Sequence, residues 1–196
     1  MSNTLILASQ SPRRKELLSQ LGFQFQCCPA DIDESIIENE MAEQYVARLA
    51  LEKANAVAQR CNENDAVVLG SDTSVVFQEH ILGKPESLED CLAILSMLSD
   101  KSHQVLTAVA VVQGKRCKVD VVSTEVKFKK LSTNEIIRYW HTGEPQDKAG
   151  AYGIQGIAGQ FVKQIQGSYS AVVGLPLYET AQLLSSFGVS SALTQE

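Results

Sequence analysis

Two hydroxyls and two guanidiniums crowd into Ser9-Gln10-Ser11-Pro12-Arg13-Arg14. The segment follows an apolar run, residues 4–8, and Ser-Pro reads as a helix start with Ser11 as N-cap and Pro12 at the first helical position. Exposed N–H groups at a helix N-terminus attract anions, and an arginine fork matches phosphate oxygens. The segment therefore reads as a phosphate grip, or more plainly as a capped helix start with two solvated arginines. It shares the logic of a P-loop without its glycines or its Lys-Ser/Thr pair.

Other residues suit the same chemistry. Asp72 follows Gly70 and Ser71 at what reads as the end of a buried strand, where a carboxylate binds Mg²⁺ or orients a water; the alternative is a turn aspartate capping backbone. Lys53 falls among apolar residues at helical spacing, facing inward or snorkelling outward. Lys84, after Gly83, reaches a phosphate as a point charge or stays solvated. Glu34 sits in an acidic stretch, as a second metal-side carboxylate or a solvated loop residue. Three glycines fall within seven residues at Gly150, Gly153 and Gly156, implying tight turns or close backbone approach. Between them Gln155 offers an amide that donates and accepts, which suits a base edge; a hairpin turn is the plainer reading. His80, His103 and His141 are scattered, without metal-ligand spacing or Ser-His-Asp logic.

The elements that must position these residues alternate between strands and helices. Strands are expected at 4–8, 23–28, 66–70, 73–78, 104–112 and 118–128, with a hairpin turn at Gly114. Helices are expected from Ser11 to Gly22, over 43–60, over 87–98 with Ser87 as cap, over 132–142 with a Ser132/Glu135 capping box, and over 176–187. Tyr139 and Trp140 read as core rather than as a base-stacking platform. The pattern is α/β, a mixed twisted sheet flanked by helices, within one domain over residues 1–196 whose tail frays from about 189. The Asp72, Lys84 and Ser9–Arg14 segments are expected at strand ends, where α/β sheets favour ligands.

Bulk properties narrow the classes. The chain has 196 residues, 44% hydrophobic and 20% charged, with a formal net charge of −6. That balance opposes a nucleic-acid polymer as main partner but permits a small anion in a local cationic pocket. Five cysteines without CxxC spacing read as reduced thiols of a cytoplasmic protein rather than a zinc site. No leader pattern and no membrane-spanning run is expected.

Taken in order, these segments resemble the Maf family of nucleoside triphosphate pyrophosphatases. The resemblance rests on Leu7-Ala8-Ser9-Gln10-Ser11-Pro12-Arg13-Arg14, Ala50-Leu51-Glu52-Lys53-Ala54, Gly70-Ser71-Asp72-Thr73, Gly83-Lys84-Pro85 and Asp147-Lys148-Ala149-Gly150-Ala151-Tyr152-Gly153-Ile154-Gln155-Gly156. It closes with Gly167-Ser168-Tyr169 and Val173-Gly174-Leu175-Pro176-Leu177. It implies an inosine triphosphate pyrophosphatase-like fold of two lobes with a central cleft, a homodimer, and hydrolysis of a nucleoside triphosphate to monophosphate and pyrophosphate. It implies a divalent cation, Mg²⁺, Mn²⁺ or Co²⁺, at Asp72 and Glu34, with Asp72 catalytic and phosphate bound by Ser9, Arg14, Lys53 and Lys84. Arg13, Thr73 and Gln155 match the branch acting on dTTP and UTP; the 7-methyl-GTP branch carries Trp, Gln and Glu at those places. Gln10 stands where the family usually has Gly.

The implied reaction is attack of water on the α-phosphorus, with positioning and charge stabilisation as the protein's work. An unperturbed aspartate with a pKa near ~3.9 is a weak base, so a metal-activated water is the easier route. The rival from another class is a nucleotide-sensing regulator of cell division and septum formation, which would not need the metal-side carboxylates. An RNA-binding module is opposed by the acidic charge and the lack of an aromatic-basic stripe.

Overall fold

The computed structural model describes residues 4–61 and 66–193. Residues 1–3, where the absence of a leader pattern was read, and 194–196 of the expected frayed tail lie outside the described residues.

Strand β1 (Leu5–Leu7) leads into α1 (Pro12–Gln20), β2 (Gln26–Cys27) and α2 (Ala42–Arg60). Next come β3 (Val67–Phe77), β4 (His80–Leu82), α3 (Leu88–Leu98), β5 (Ser102–Gln113), β6 (Arg116–Phe128) and α4 (Thr133–Trp140). A run of 3-10 turns leads to β7 (Val162–Gln166), α5 (Tyr169–Val173) and α6 (Leu177–Ser186). Among the described residues the strands form one sheet in the order β2-β1-β3-β5-β6-β7, with β4 paired to β3. β1 is parallel to β2 and β3, whereas β3–β4 and β6–β7 are antiparallel. The expected mixed α/β sheet is present.

Local chemistry sets the helix starts. Ser11, Ser87 and Ser132 each accept a backbone N–H of the first turn, and Glu135 closes the capping box by accepting the Ser132 N–H at 2.9 Å. Gly22, at φ +73°, ends the first helical segment in the left-handed region.

The chain divides into two compact units, the first of residues 1–72, 107–122 and 174–196, the second of 73–106 and 123–173. In the first, α2 buries Val46, Leu49, Ala50, Ala54 and Val57, and Leu5–Leu7 of β1 and Val67, Val68 and Leu69 of β3 are buried apolar runs. The second has its own core, in which Phe128, Tyr152, Phe161 and Tyr139 meet edge to face. Tyr139 is therefore core, as its helical position implied.

One expectation is corrected. The runs 66–70 and 73–78 are a single strand, β3, so Asp72 sits within a strand rather than at its end. Gly70 does not make a turn there. A Cβ on it would fall 2.1 Å from the Ala50 carbonyl oxygen and 2.9 Å from the Ala54 nitrogen, so its smallness admits α2. Two elements outside the expected set, β7 and α5, lack any strong apolar period. Toward the C-terminus Val189 is buried and the Ala192 N–H donates to the Gly22 carbonyl. No described helix is long and apolar enough to cross a membrane.

Candidate active site

The close approach of α2 to β3 creates the centre of the site. Lys53 lies on the buried stripe of α2, and its ammonium donates to Asp72 Oδ1 at 2.7 Å. Lys53 is 8% and Asp72 7% exposed, so both ends of the pair are desolvated. A buried ion pair is a weak source of stability, because desolvation offsets most of the Coulomb gain. Its presence in an otherwise apolar interface points to function instead.

A second carboxylate reaches the same ammonium: Glu34 Oε1 lies 2.8 Å from Lys53 Nζ. Glu34 belongs to an exposed loop, and α2 holds that loop in place. The Tyr45 hydroxyl donates to the Glu34 carbonyl at 2.9 Å. Arg48 grips both oxygens of Glu40, at 2.6 and 2.7 Å, and donates to the Ser35 carbonyl at 3.0 Å. This fork pushes the Arg48 pKa up and the Glu40 pKa down. Sequence reasoning named Glu34 but missed Tyr45 and Arg48. Their spacing on α2 beside an acidic loop was the available signal.

The Ser9–Arg14 segment is built as its capping chemistry requires. The Ser11 N–H donates to Ser9 Oγ at 3.1 Å, and the Arg14 N–H donates to Ser11 Oγ at 3.4 Å. Arg14 is anchored from its side chain as well, with Nε donating to the Gly174 carbonyl at 2.9 Å. The same carbonyl accepts from Ser71 Oγ at 3.1 Å, so Gly174, at φ +131°, ties α1 to the strand that carries Asp72. Ser71 and Gly174 were quoted in the sequence motifs without a role; the structure makes them the brace of Arg14.

The charges interact. Burial pushes Asp72 above the usual aspartate range, while Lys53 and Arg14 pull it back. Burial also lowers the Arg14 pKa, opposed by Asp72. Asp72 is therefore a stronger base than an aspartate in water, which the sequence alone did not indicate.

Thr73, Lys84 and Gln155 belong to the second unit. Thr73 follows Asp72 on β3, and adjacent strand positions present opposite faces. Lys84 and Gln155 are exposed. Their segments are tied together: the Gly150 N–H donates to the Gly83 carbonyl at 3.0 Å. Gly150, at φ +67°, packs so tightly that a Cβ would lie 2.8 Å from Val75 side-chain atoms.

Among the described residues no three His, Cys, Asp or Glu side chains form a metal-holding group. Two carboxylates, those of Asp72 and Glu34, do converge on one cationic atom, Lys53 Nζ. Two hard oxygen donors are ligands of the kind that could hold a divalent cation.

A dTTP/UTP pyrophosphatase of Colwellia psychrerythraea is 62% identical over 190 residues, covering 95% of this chain and 90% of that protein. One from Hahella chejuensis is 54% identical over 186 residues, covering 94% and 92%. A solved structure, protein VC0702 from Vibrio cholerae, covers 73% of this chain and 79% of that one at 9% identity and TM-score 0.38, too slight a likeness to carry an argument. The Maf-like protein model matches residues 4–187, which include every residue of the Lys53–Asp72–Glu34 cluster and its Arg14 brace, and the chain belongs to that family.

Proposed function

We propose that this protein hydrolyses dTTP and UTP to the nucleoside monophosphate and pyrophosphate. The observation that carries the chemistry is the buried Lys53–Asp72 pair with Glu34 on the same ammonium. The relatives named dTTP/UTP pyrophosphatase support the substrate class. So do Arg13, Thr73 and Gln155, the residue types of the dTTP/UTP pattern.

Water attacks the α-phosphorus, and the bond from that phosphorus to the bridging oxygen of the pyrophosphate breaks. Asp72 accepts the water proton. Arg14 and Lys53 offset the charge that builds on the departing pyrophosphate, and their fixed geometry spares reorganisation. Ser9 and Lys84 serve as further phosphate contacts. A divalent cation, Mg²⁺, Mn²⁺ or Co²⁺, fits Asp72 and Glu34 and, when bound, supplies Lewis-acid stabilisation of the phosphate oxygens.

Pyrophosphate release from dTTP by Asp72→Asn tests the assignment. The account expects turnover to fall about 10³-fold in a folded variant. Undiminished turnover would remove Asp72 from the mechanism, and a wild-type preference for 7-methyl-GTP over dTTP, UTP and CTP would overturn the substrate class.

A further inference from the structure

Gln155 stands in a tight turn closed by the Gly156 N–H donating to the Gly153 carbonyl at 3.1 Å. Gly153 and Gly156 give this turn a permissive backbone, with Ile154 packed against the core and Gln155 exposed. Here it is held from both sides by two residues of no assigned role. On the leading side, the Gly153 N–H donates to the Tyr139 hydroxyl oxygen at 3.3 Å. On the trailing side, Glu144 accepts the Ile157 N–H on Oε2 at 2.8 Å and the Ala158 N–H on Oε1 at 3.2 Å. The two holders are joined, since the Tyr139 hydroxyl donates to Glu144 Oε1 at 2.9 Å.

The sequence around the turn is shaped to admit this carboxylate. A Cβ on Gly156 would lie 2.3 Å from Glu144 Oε2 and 2.5 Å from Oε1. Glu144 is itself set by its neighbours: its N–H donates to Thr142 Oγ1 at 3.2 Å, and that hydroxyl donates to the Tyr139 carbonyl at 2.6 Å. Tyr139 is 2% exposed, with its ring edge to face on Phe161 at 5.1 Å. The clamp thus runs from the core of the second unit to the backbone on both sides of Gln155.

We propose that Glu144 and Tyr139 are positioning residues that fix the Gln155 turn so that its amide reads the base of the nucleotide. The inference rests on the assignment of Gln155 to base recognition made above. A carboxylate accepting two backbone N–H groups has no equal in an amide, which offers one oxygen. Loosening the turn leaves the charged cluster of Asp72, Lys53 and Glu34 intact, so the effect falls on base selectivity.

The test is a double-mutant cycle read as the ratio of kcat/KM for dTTP over dCTP. Glu144→Gln and Gly156→Ala, which attack the clamp from its two sides, should each lower that ratio by roughly tenfold. Tyr139→Phe, which keeps the ring packing, should lower it less. Inhibition by inorganic pyrophosphate should stay within about twofold of wild type in all three, a split that general unfolding would not give. Combined with Gln155→Ala, Glu144→Gln should add nothing further. If Gln155→Ala lowers the ratio while folded Glu144→Gln and Tyr139→Phe leave it unchanged, the clamp is refuted and the base-reading assignment stands. If the losses simply multiply, the clamp acts elsewhere and the proposal fails. If Gln155→Ala itself has no effect on the ratio, the base-reading assignment fails and takes the clamp with it.

Discussion

The cluster around Lys53 and the turn around Gln155 are held by opposite means. The first is fixed by charge: Lys53 meets two carboxylates, and Arg48 pins the loop that brings one of them. The second is fixed by backbone hydrogen bonds to Tyr139 and Glu144 and by glycines that allow close approach. Charged side chains desolvated together are costly, and a protein tolerates them where a charged substrate repays the cost. At the turn the single carboxylate, Glu144, is directed at backbone N–H groups and the Tyr139 hydroxyl rather than set in a cluster of opposed charges. Under the proposed function, paired charges would serve the phosphate and backbone-anchoring hydrogen bonds the base.

The comparison breaks most sharply at Lys53. Lys53→Met leaves Asp72 buried without its ammonium, so both activity and stability should suffer, the latter by about 3 kcal/mol in urea unfolding. Equal stability to wild type would mean that the pair is not desolvated as its burial indicates. Next is Gly70→Ala, which drives a methyl into the α2 backbone and should cost roughly 3 kcal/mol, with loss of activity because Lys53 and Asp72 are pushed apart. An unchanged melting temperature would refute the close approach.

Arg48→Ala should be milder. The protein should fold, but Glu34 loses its support, and kcat/KM for dTTP should drop roughly ten- to hundredfold with little change in base selectivity. A change in selectivity instead would blur the division of labour drawn here.

The last effect, absent at neutral pH, concerns acid pH and the second unit. His103 is buried against Tyr152, with Nε2 2.8 Å from the hydroxyl, and burial lowers its pKa to about 4. An unfolded histidine titrates near about 6.5. Above that pH both states are neutral and His103 gives no pH dependence. As pH falls from about 6.5 through about 4, the unfolded chain takes the proton first, so stability is lost, by up to roughly 3 kcal/mol. His103→Gln should flatten the acid limb of the unfolding curve over that window, and an unaltered limb would place the acid sensitivity elsewhere.

Much of this was legible in the sequence where the signal is local. Ser11, Ser87 and Ser132 announce helix starts because a cap is made within four residues. Lys53 was singled out because its position on a buried helical stripe is a matter of period. Gly70 was read as the end of a strand because its meaning lies in α2, some twenty residues away, and a glycine shows only that something is close. β4 and β7 escaped because short, largely exposed strands carry little apolar alternation. Glu144 and Tyr139 escaped for another reason: their partners are backbone N–H groups, which every residue but proline has, so no residue pattern marks them. Arg48 was hidden because its partners lie in an irregular loop.

The central claim is that the Lys53–Asp72–Glu34 site directs water to the α-phosphorus. Turnover of dTTP in ¹⁸O-labelled water, followed by mass analysis of the products, tests it most directly. The account predicts dTMP and pyrophosphate as products, with the label in dTMP. Label in the pyrophosphate, or release of orthophosphate with dTDP, would contradict it.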